Sequence, residues 1–354
     1  MTDRPVPAQM LSSLVTRLFG ATGLPEGAAA TVAEALVDAD LRGLQSHGTM
    51  LVPMYVERLR RGSVSTRVAG EVVVDLGAIA VIDAGHALGI LTGDQAIALA
   101  IDKAHRYGVG AVAVRHAFHF GAAGRFARTA AQAGTIGIAL ANTRAMMPAP
   151  GGGHPVVGNN PIAVGVPGGP GAEPVVLDIA LSAANMGRIR LAAGNGRNIP
   201  DGWATDAAGV PTTDAATALA GMLLPAAGHK GFGLALMVDV LAGVLSGGGY
   251  GERVNGLYAD TAVPNECGHF FLALDVAAFT DLDGFAGRLR DLETSVTAPP
   301  YAPGVERVVL PGQRSAALLR EAMAHGVPVD QGVLASLLDL AGELGVPIPE
   351  GVPS

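Results

Sequence analysis

Two histidines stand where a proton could be moved. His47 lies in Ser46-His47-Gly48, between two stretches of helical periodicity. His119 lies in Arg115-His116-Ala117-Phe118-His119-Phe120-Gly121, after a strand-like run and before a helix-like one. Imidazole titrates nearest neutrality of the side chains, so it suits proton transfer to a reacting oxygen or nitrogen. In α/β folds, ligands gather beyond the carboxyl ends of strands, where His119 falls. His116 precedes His119 by three residues, but no carboxylate accompanies them in sequence, so no metal site is expected. Anion binding is the second chemistry in view. His229-Lys230-Gly231 and Pro311-Gly312-Gln313-Arg314 each open an apolar helical stretch. Backbone N–H groups at a helix start, together with a cation, can hold a phosphate, and ordinary capping explains both stretches equally well.

The elements that must position these residues follow from periodicity. A spacing near 3.6 predicts helices over 5–22, 25–44 and 51–61. Strands are expected over 71–75 and 78–83, a helix over 91–106, a strand over 110–115, a helix over 122–133 and a strand over 136–142. Apolar runs at 162–166 and 174–179 look like buried strands, and 182–214 looks loop-rich. The longest apolar run, 231–249, contains Asp239 and ends in three glycines. It reads as a buried core helix rather than a membrane span. A strand over 270–275 and helices over 282–296, 313–325 and 331–344 complete the chain. No dinucleotide fingerprint is present. The nearest run, Gly108-Val109-Gly110, follows a helix and opens a strand, the reverse of the required context.

Composition narrows the class. The 354 residues allow about two domains. Hydrophobic residues make up 49% and charged residues 15%, which excludes a disordered chain. A net charge of −8 argues against a nucleic-acid partner. The single cysteine, Cys267, cannot form an internal disulfide, and the first residues show no signal peptide. A cytoplasmic, enzyme-sized protein without membrane or nucleic-acid partners is expected.

Nine stretches, in order, resemble the malate/L-lactate dehydrogenase family of NAD(P)-dependent oxidoreductases. They are ADLRGLQSHG (39–48), HFGAAG (119–124), GTIGIALANT (134–143), PAPGG (148–152), GNNPIAVGVP (158–167), LDIALS (177–182), IPDGWATDAAGVPTTD (199–214), GHKGFGLALMVDVLAGVLSG (228–247) and LPGQR (310–314). The resemblance implies an α/β fold with a family-specific mixed-sheet cofactor domain, not a Rossmann fold, and a smaller helical domain formed by both termini. The expected divisions are 1–70 (N-terminal helical part), 71–280 (cofactor domain) and 281–354 (C-terminal helices packing with the N-terminal ones). It implies a homodimer that uses NAD or NADP to interconvert a 2-oxo acid and a 2-hydroxy acid. By resemblance, His119 is the acid/base, with His47 and Ser46 orienting or polarising the substrate. Tyr55, Asn142 and Thr143 line the substrate pocket. Asp178, Ile179, Ala180, Ser182, His229, Lys230, Gly312, Gln313 and Arg314 hold the cofactor.

Two positions depart from the family. An arginine often stands five residues after the serine of the SHG motif and pairs with the substrate carboxylate. Here that position is Leu51. Arg144 is the candidate replacement, and solvent exposure is its plainer explanation. Asn159 stands where the family usually has threonine. The alternatives are reduction of a cyclic imine carboxylate, suggested by Leu51, and a catalytically inactive relative that binds a cofactor or partner.

Overall fold

The computed structural model describes residues 4–169 and 171–352. Its centre is a seven-stranded mixed sheet. In spatial order the strands are Glu71–Leu76, Ile79–Asp83, Val109–Ala117, Cys267–Asp275, Thr135–Ala141, Ile162–Val166 and Val175–Ile179. Only the pair Ile79–Asp83 and Val109–Ala117 is parallel, because the helix Gly89–Tyr107 carries the chain back between them. The other neighbours are antiparallel. The late strand Cys267–Asp275 fills the middle of a sheet otherwise built from earlier strands, a long-range pairing that no local pattern announces.

Alternate residues on each strand face opposite sides. One face, with Val112, Val114, Ala139, Ala163 and Phe271, packs against the helices Gly89–Tyr107 and Ala123–Gln132. These helices lie unusually close. A Cβ at Gly110 would sit 2.0 Å from the Ala100 carbonyl oxygen, and one at Gly165 would sit 2.1 Å from that of Ala127. The Ala/Gly richness of the sequence is thus a packing requirement. The other face, with Leu140, meets Ile189, Leu223, Ala235 and Val238.

A separate apolar cluster joins the two ends of the chain. Leu11, Leu14 and Phe19 from Ala8–Gly20 and Leu36 from Glu26–Leu41 pack with Leu334, Leu337 and Leu340 from Gln331–Leu344. Arg4–Val6 pairs antiparallel with Val327–Val329 and ties the ends together. Tyr55 on Val52–Arg61 and Phe118 beside the sheet lie in the same cluster, so it reaches the region of His119. The helix Gln313–His325 contributes Ala322. By contrast, Leu282–Thr297 has one buried residue, Ala286, which lies near Gly169 in the turn after Ile162–Val166.

Several expectations change. The first helix begins at Ala8, because Pro5 and Pro7 hold an extended segment that pairs with another strand. The stretch 182–214 contains the helix Met186–Gly194, capped by Asn185 and burying only Ile189. So little apolar burial leaves almost no periodic signal. The run 231–249 is not enclosed. It forms the helix His229–Asp239 and a π-type turn Val240–Val244, with Ala235, Val238 and Ala242 buried but Met237, Val244 and Leu245 exposed. No helix among the described residues is long and apolar enough to cross a membrane.

Leu337 is fully buried where the two ends of the chain meet. Leu337→Ala should lower unfolding stability by about 2–5 kcal/mol in urea titrations. A loss under about 1 kcal/mol would contradict this packing.

Candidate active site

The two histidines come together. The imidazoles of His47 and His119 stack with centroids 5.7 Å apart and planes 23° from parallel. Each is half-buried. Each side chain has one nitrogen already engaged. Ser46 Oγ lies 3.0 Å from His47 Nδ1. Tyr55 Oη lies 2.6 Å from His119 Nδ1. Tyr55 is fully buried on the helix Val52–Arg61, and its other contact, with the His119 carbonyl oxygen, is long at 3.5 Å. A Tyr55 hydroxyl that donates in the short contact makes Nδ1 the acceptor. That tautomer leaves hydrogen on His119 Nε2, which makes no hydrogen bond among the described residues.

The surroundings of the two rings differ. Burial pushes the His119 pKa down to about 3, and the neighbouring His47 and His269 push the same way. Burial also lowers His47, but Asp178 opposes it by favouring the cation. Asp178 is the last residue but one of the edge strand Val175–Ile179. Its Oδ2 accepts the Gly124 N–H at 2.8 Å. A Cβ at Gly124 would come within 2.9 Å of that oxygen, so the glycine of the HFGAAG stretch is what admits the carboxylate. His116 turns elsewhere, its Nδ1 lying 3.0 Å from Asp83 Oδ2.

The SHG turn rests on a residue that sequence reasoning passed over. Asp40 is buried, and its Oδ2 accepts the Thr49 N–H at 2.9 Å and the Thr49 hydroxyl at 2.6 Å. Gly48 lies directly against this carboxyl, where a Cβ would collide with Oδ1. Asp40 thus fixes the backbone just after His47.

The segments expected to hold a cofactor also converge. Ser182 pairs with Pro225, the Leu181 carbonyl accepts from Ala226 N–H, and the Leu224 carbonyl accepts from Ala183 N–H. This joins Asp178, Ile179, Ala180 and Ser182 to the start of the helix His229–Asp239, where His229 and Lys230 are exposed. The first N–H groups of a helix lack intrahelical acceptors. Gly312 approaches the same strand, where a Cβ would lie 3.0 Å from the Val176 carbonyl oxygen. Gln313 Oε1 accepts the Leu310 N–H and shapes this turn, with Arg314 following. The Ser182 hydroxyl donates to the Ala184 carbonyl.

Two of the pocket residues are used internally. Asn142 is buried, donates to Asp239 Oδ1 and the Gly249 carbonyl, and accepts the Gly268 N–H. It ties the strand end to its neighbours, with both amide hydrogens donated within the chain. Thr143 donates to Asn159 Oδ1 at 2.9 Å, which gives the unusual asparagine a structural role. Leu51 is buried in the terminal cluster. Arg144 is exposed, and its side chain lies against Gly256, near enough that a Cβ there would be 2.9 Å from Arg144 Cδ.

Burial raises the Asp40 pKa to about 6, against the Thr49 hydrogen bonds that lower it. The folded chain therefore holds this proton more tightly than the unfolded chain, where aspartate titrates at about 3.9. This contribution to stability is complete below pH about 4 and is lost as pH rises through about 6, a change of roughly 3 kcal/mol. Asp40→Asn should remove that fall when urea unfolding is compared at the two ends of the window. An equal fall in the variant would assign the pH dependence elsewhere.

Known proteins resemble this chain over nearly its whole length. The family model described as malate/L-lactate dehydrogenase matches residues 6–338. A malate dehydrogenase of Pyrococcus abyssi is 34% identical over 349 residues, covering 96% of this chain and 95% of the relative. An NADP(+)-dependent (2R)-3-sulfolactate dehydrogenase of Chromohalobacter salexigens is 36% identical over 319 residues, covering 90% and 93%. The solved sulfolactate dehydrogenase of Methanocaldococcus jannaschii superimposes with a TM-score of 0.93 at 32% identity, covering 99% of this chain and 100% of that one. The chain belongs to the malate/L-lactate dehydrogenase family.

Proposed function

We propose that this protein is an NAD- or NADP-dependent oxidoreductase that interconverts a 2-oxo acid and a 2-hydroxy acid. The observation that carries the reading is the stacked His47–His119 pair, with Tyr55 behind one ring and Asp178 beside the other. The cofactor segments fit a nucleotide. A free helix start with Lys230, a strand end, and the Gly312 turn with Arg314 offer N–H donors and cations for phosphates. Asp178, Ile179 and Ala180 line that strand end. The bound nicotinamide supplies the hydride.

The protein's own task is the proton. Two imidazolium ions at this separation repel, so the pair carries one proton at a time. When the pair is protonated the proton sits on His47, where Asp178 opposes the lowering that burial imposes. His119 stays neutral and donates its Nε2–H to the substrate carbonyl oxygen, drawing charge onto it. His47 then protonates the alkoxide on reduction and accepts the proton on oxidation. This division exchanges the roles expected from resemblance. Its reason is that a neutral His119 could release its Nε2 proton only by becoming imidazolate or by drawing the proton of the buried Tyr55, whose pKa burial raises. Ser46 orients His47 through Nδ1. Thr143 and Tyr55 shape the pocket, and Arg144 takes the substrate's acid group in place of the cation missing at Leu51. A second reading is the reduction of a cyclic imine carboxylate, whose acid group would need the same replacement cation; a solved delta1-piperideine-2-carboxylate reductase of Pseudomonas syringae, 30% identical with a TM-score of 0.84, supports it.

We further propose a cytoplasmic homodimer. The exposed apolar face of Met237, Val244 and Leu245 is a surface that a second copy would cover.

Initial rates of NADH and NADPH oxidation with a panel of 2-oxo acids and cyclic imine carboxylates test the reaction. Turnover of a 2-oxo acid is expected, and turnover of imines alone would decide for the second reading. His47→Ala should lower kcat by about 10²–10⁴-fold. Asp178→Asn should shift the limb of the pH–rate profile assigned to His47 toward lower pH, because the cation loses its partner. An unshifted limb would reject the division of roles. Arg144→Ala should raise KM for the acid about ten-fold, the loss of one charge-assisted bond. An unchanged KM would reject that residue.

A further inference from the structure

Arg58 is fully buried, yet it has no carboxylate within salt-bridge distance among the described residues. Its guanidinium is satisfied by one loop. Nε and Nη2 donate to the Leu257 carbonyl at 3.0 and 2.9 Å, Nη2 to that of Gly256 at 2.9 Å, and Nη1 to that of Val263 at 2.8 Å. Nη1 also reaches Ser63 Oγ at 3.3 Å, and Ser63 donates to the Thr261 carbonyl at 2.6 Å. The base of the loop is closed by Asn255, whose N–H donates to the Asn265 carbonyl and whose amide donates to that of Pro264. A buried guanidinium with no carboxylate in direct contact, Asp260 of the same loop acting only from a distance, is an expensive means of stabilisation. It does supply donors in a rigid fork that fixes several carbonyls at once.

The loop held in this way is tied to the helix that carries Tyr55. Arg58 follows Tyr55 by three residues on one helix, so the two side chains share a face. The Phe118 ring lies between them, 5.0 Å from the Tyr55 ring and 5.6 Å from the Arg58 guanidinium carbon. Tyr55 in turn bonds His119. The loop carries Tyr258, exposed but within electrostatic reach of Tyr55, and Gly256, against which Arg144 lies.

We propose that the loop 256–263 is the wall of the substrate pocket that selects the acid, with Tyr258 as its contact residue and Arg58 as the positioning residue that fixes it to the helix bearing Tyr55. The substrate class follows from the functional reading above, and this inference rests on it. The loop confronts the carboxyl-bearing end of the substrate, while hydride and proton transfer occur at His47 and His119. Loss of the wall therefore weakens substrate binding and leaves cofactor binding intact.

Tyr258→Ala changes an exposed side chain and leaves the fold unburdened. It should raise KM for the acid about ten-fold, with NAD(P)H affinity by fluorescence titration unchanged. Arg58→Lys keeps the charge but loses the fork. It should raise KM similarly and speed amide hydrogen exchange in residues 256–263 about ten-fold, while exchange in the sheet stays as in the parent protein. Two readouts do not depend on turnover. They are the exchange rate of the loop in Arg58→Lys and a displaced His119 ring resonance in Tyr258→Ala. If the parent protein turns over no 2-oxo acid, the functional reading fails, and these two readouts still decide for or against the wall. Unchanged KM in Tyr258→Ala, or an unchanged His119 resonance together with unchanged loop exchange, would overturn the proposal.

Discussion

The rest of the site depends on two stacked imidazoles that cannot both be charged. Two unit charges 5.7 Å apart repel by about 3 kcal/mol at an effective dielectric constant of about 20. That is enough to keep one ring neutral wherever the other is protonated. What decides between them is the company each keeps. His119 has a phenol that donates to it and a second buried histidine, His269, nearby. His47 has a carboxylate within reach. A polarising donor and a proton carrier thus arise from the same side-chain type.

This arrangement requires parts of the chain far apart in sequence to meet. Tyr55 comes from a helix in the cluster built by both termini, His119 follows a central strand, and Asp178 lies near the end of an edge strand. Phe118 lies in the terminal cluster although its neighbours belong to the sheet, so it fastens the two bodies of the fold at the reacting centre. Close approach is a recurring requirement. Gly89, Gly124 and Gly48 each stand where a Cβ would collide with backbone or carboxylate beside the site. Glycines that look like loop punctuation in the sequence are here the means of bringing His119, Asp178 and the SHG turn to their places.

Legibility followed the range of the interaction. Helices with a full apolar stripe, such as Gly89–Tyr107, were visible from periodicity, as were most strands of the sheet. The pairing of Arg4–Val6 with Val327–Val329 was not, because three residues carry no period and their partner is at the other end of the chain. The histidines were legible as chemistry, but their stacking was not. Asp178 was expected beside the cofactor, and its electrostatic link to His47 appeared only with the fold. Arg58 and Asp40 gave no signal, because a charged residue in an amphipathic helix looks like a solvated one until its burial is known. Asn142 shows the converse, a polar residue at a strand end whose bonds are all made within the chain.

The central claim concerns which ring holds the proton, so it is tested most directly by nitrogen-15 NMR of histidine-labelled protein across a pH titration. The account predicts that His119 remains neutral through the physiological range with its hydrogen on Nε2, and that His47 protonates first. It also predicts that Asp178→Asn lowers the titration midpoint of His47 and leaves the tautomer of His119 unchanged. Protonation of His119 before His47, or a His119 hydrogen resident on Nδ1 in the free protein, would contradict it.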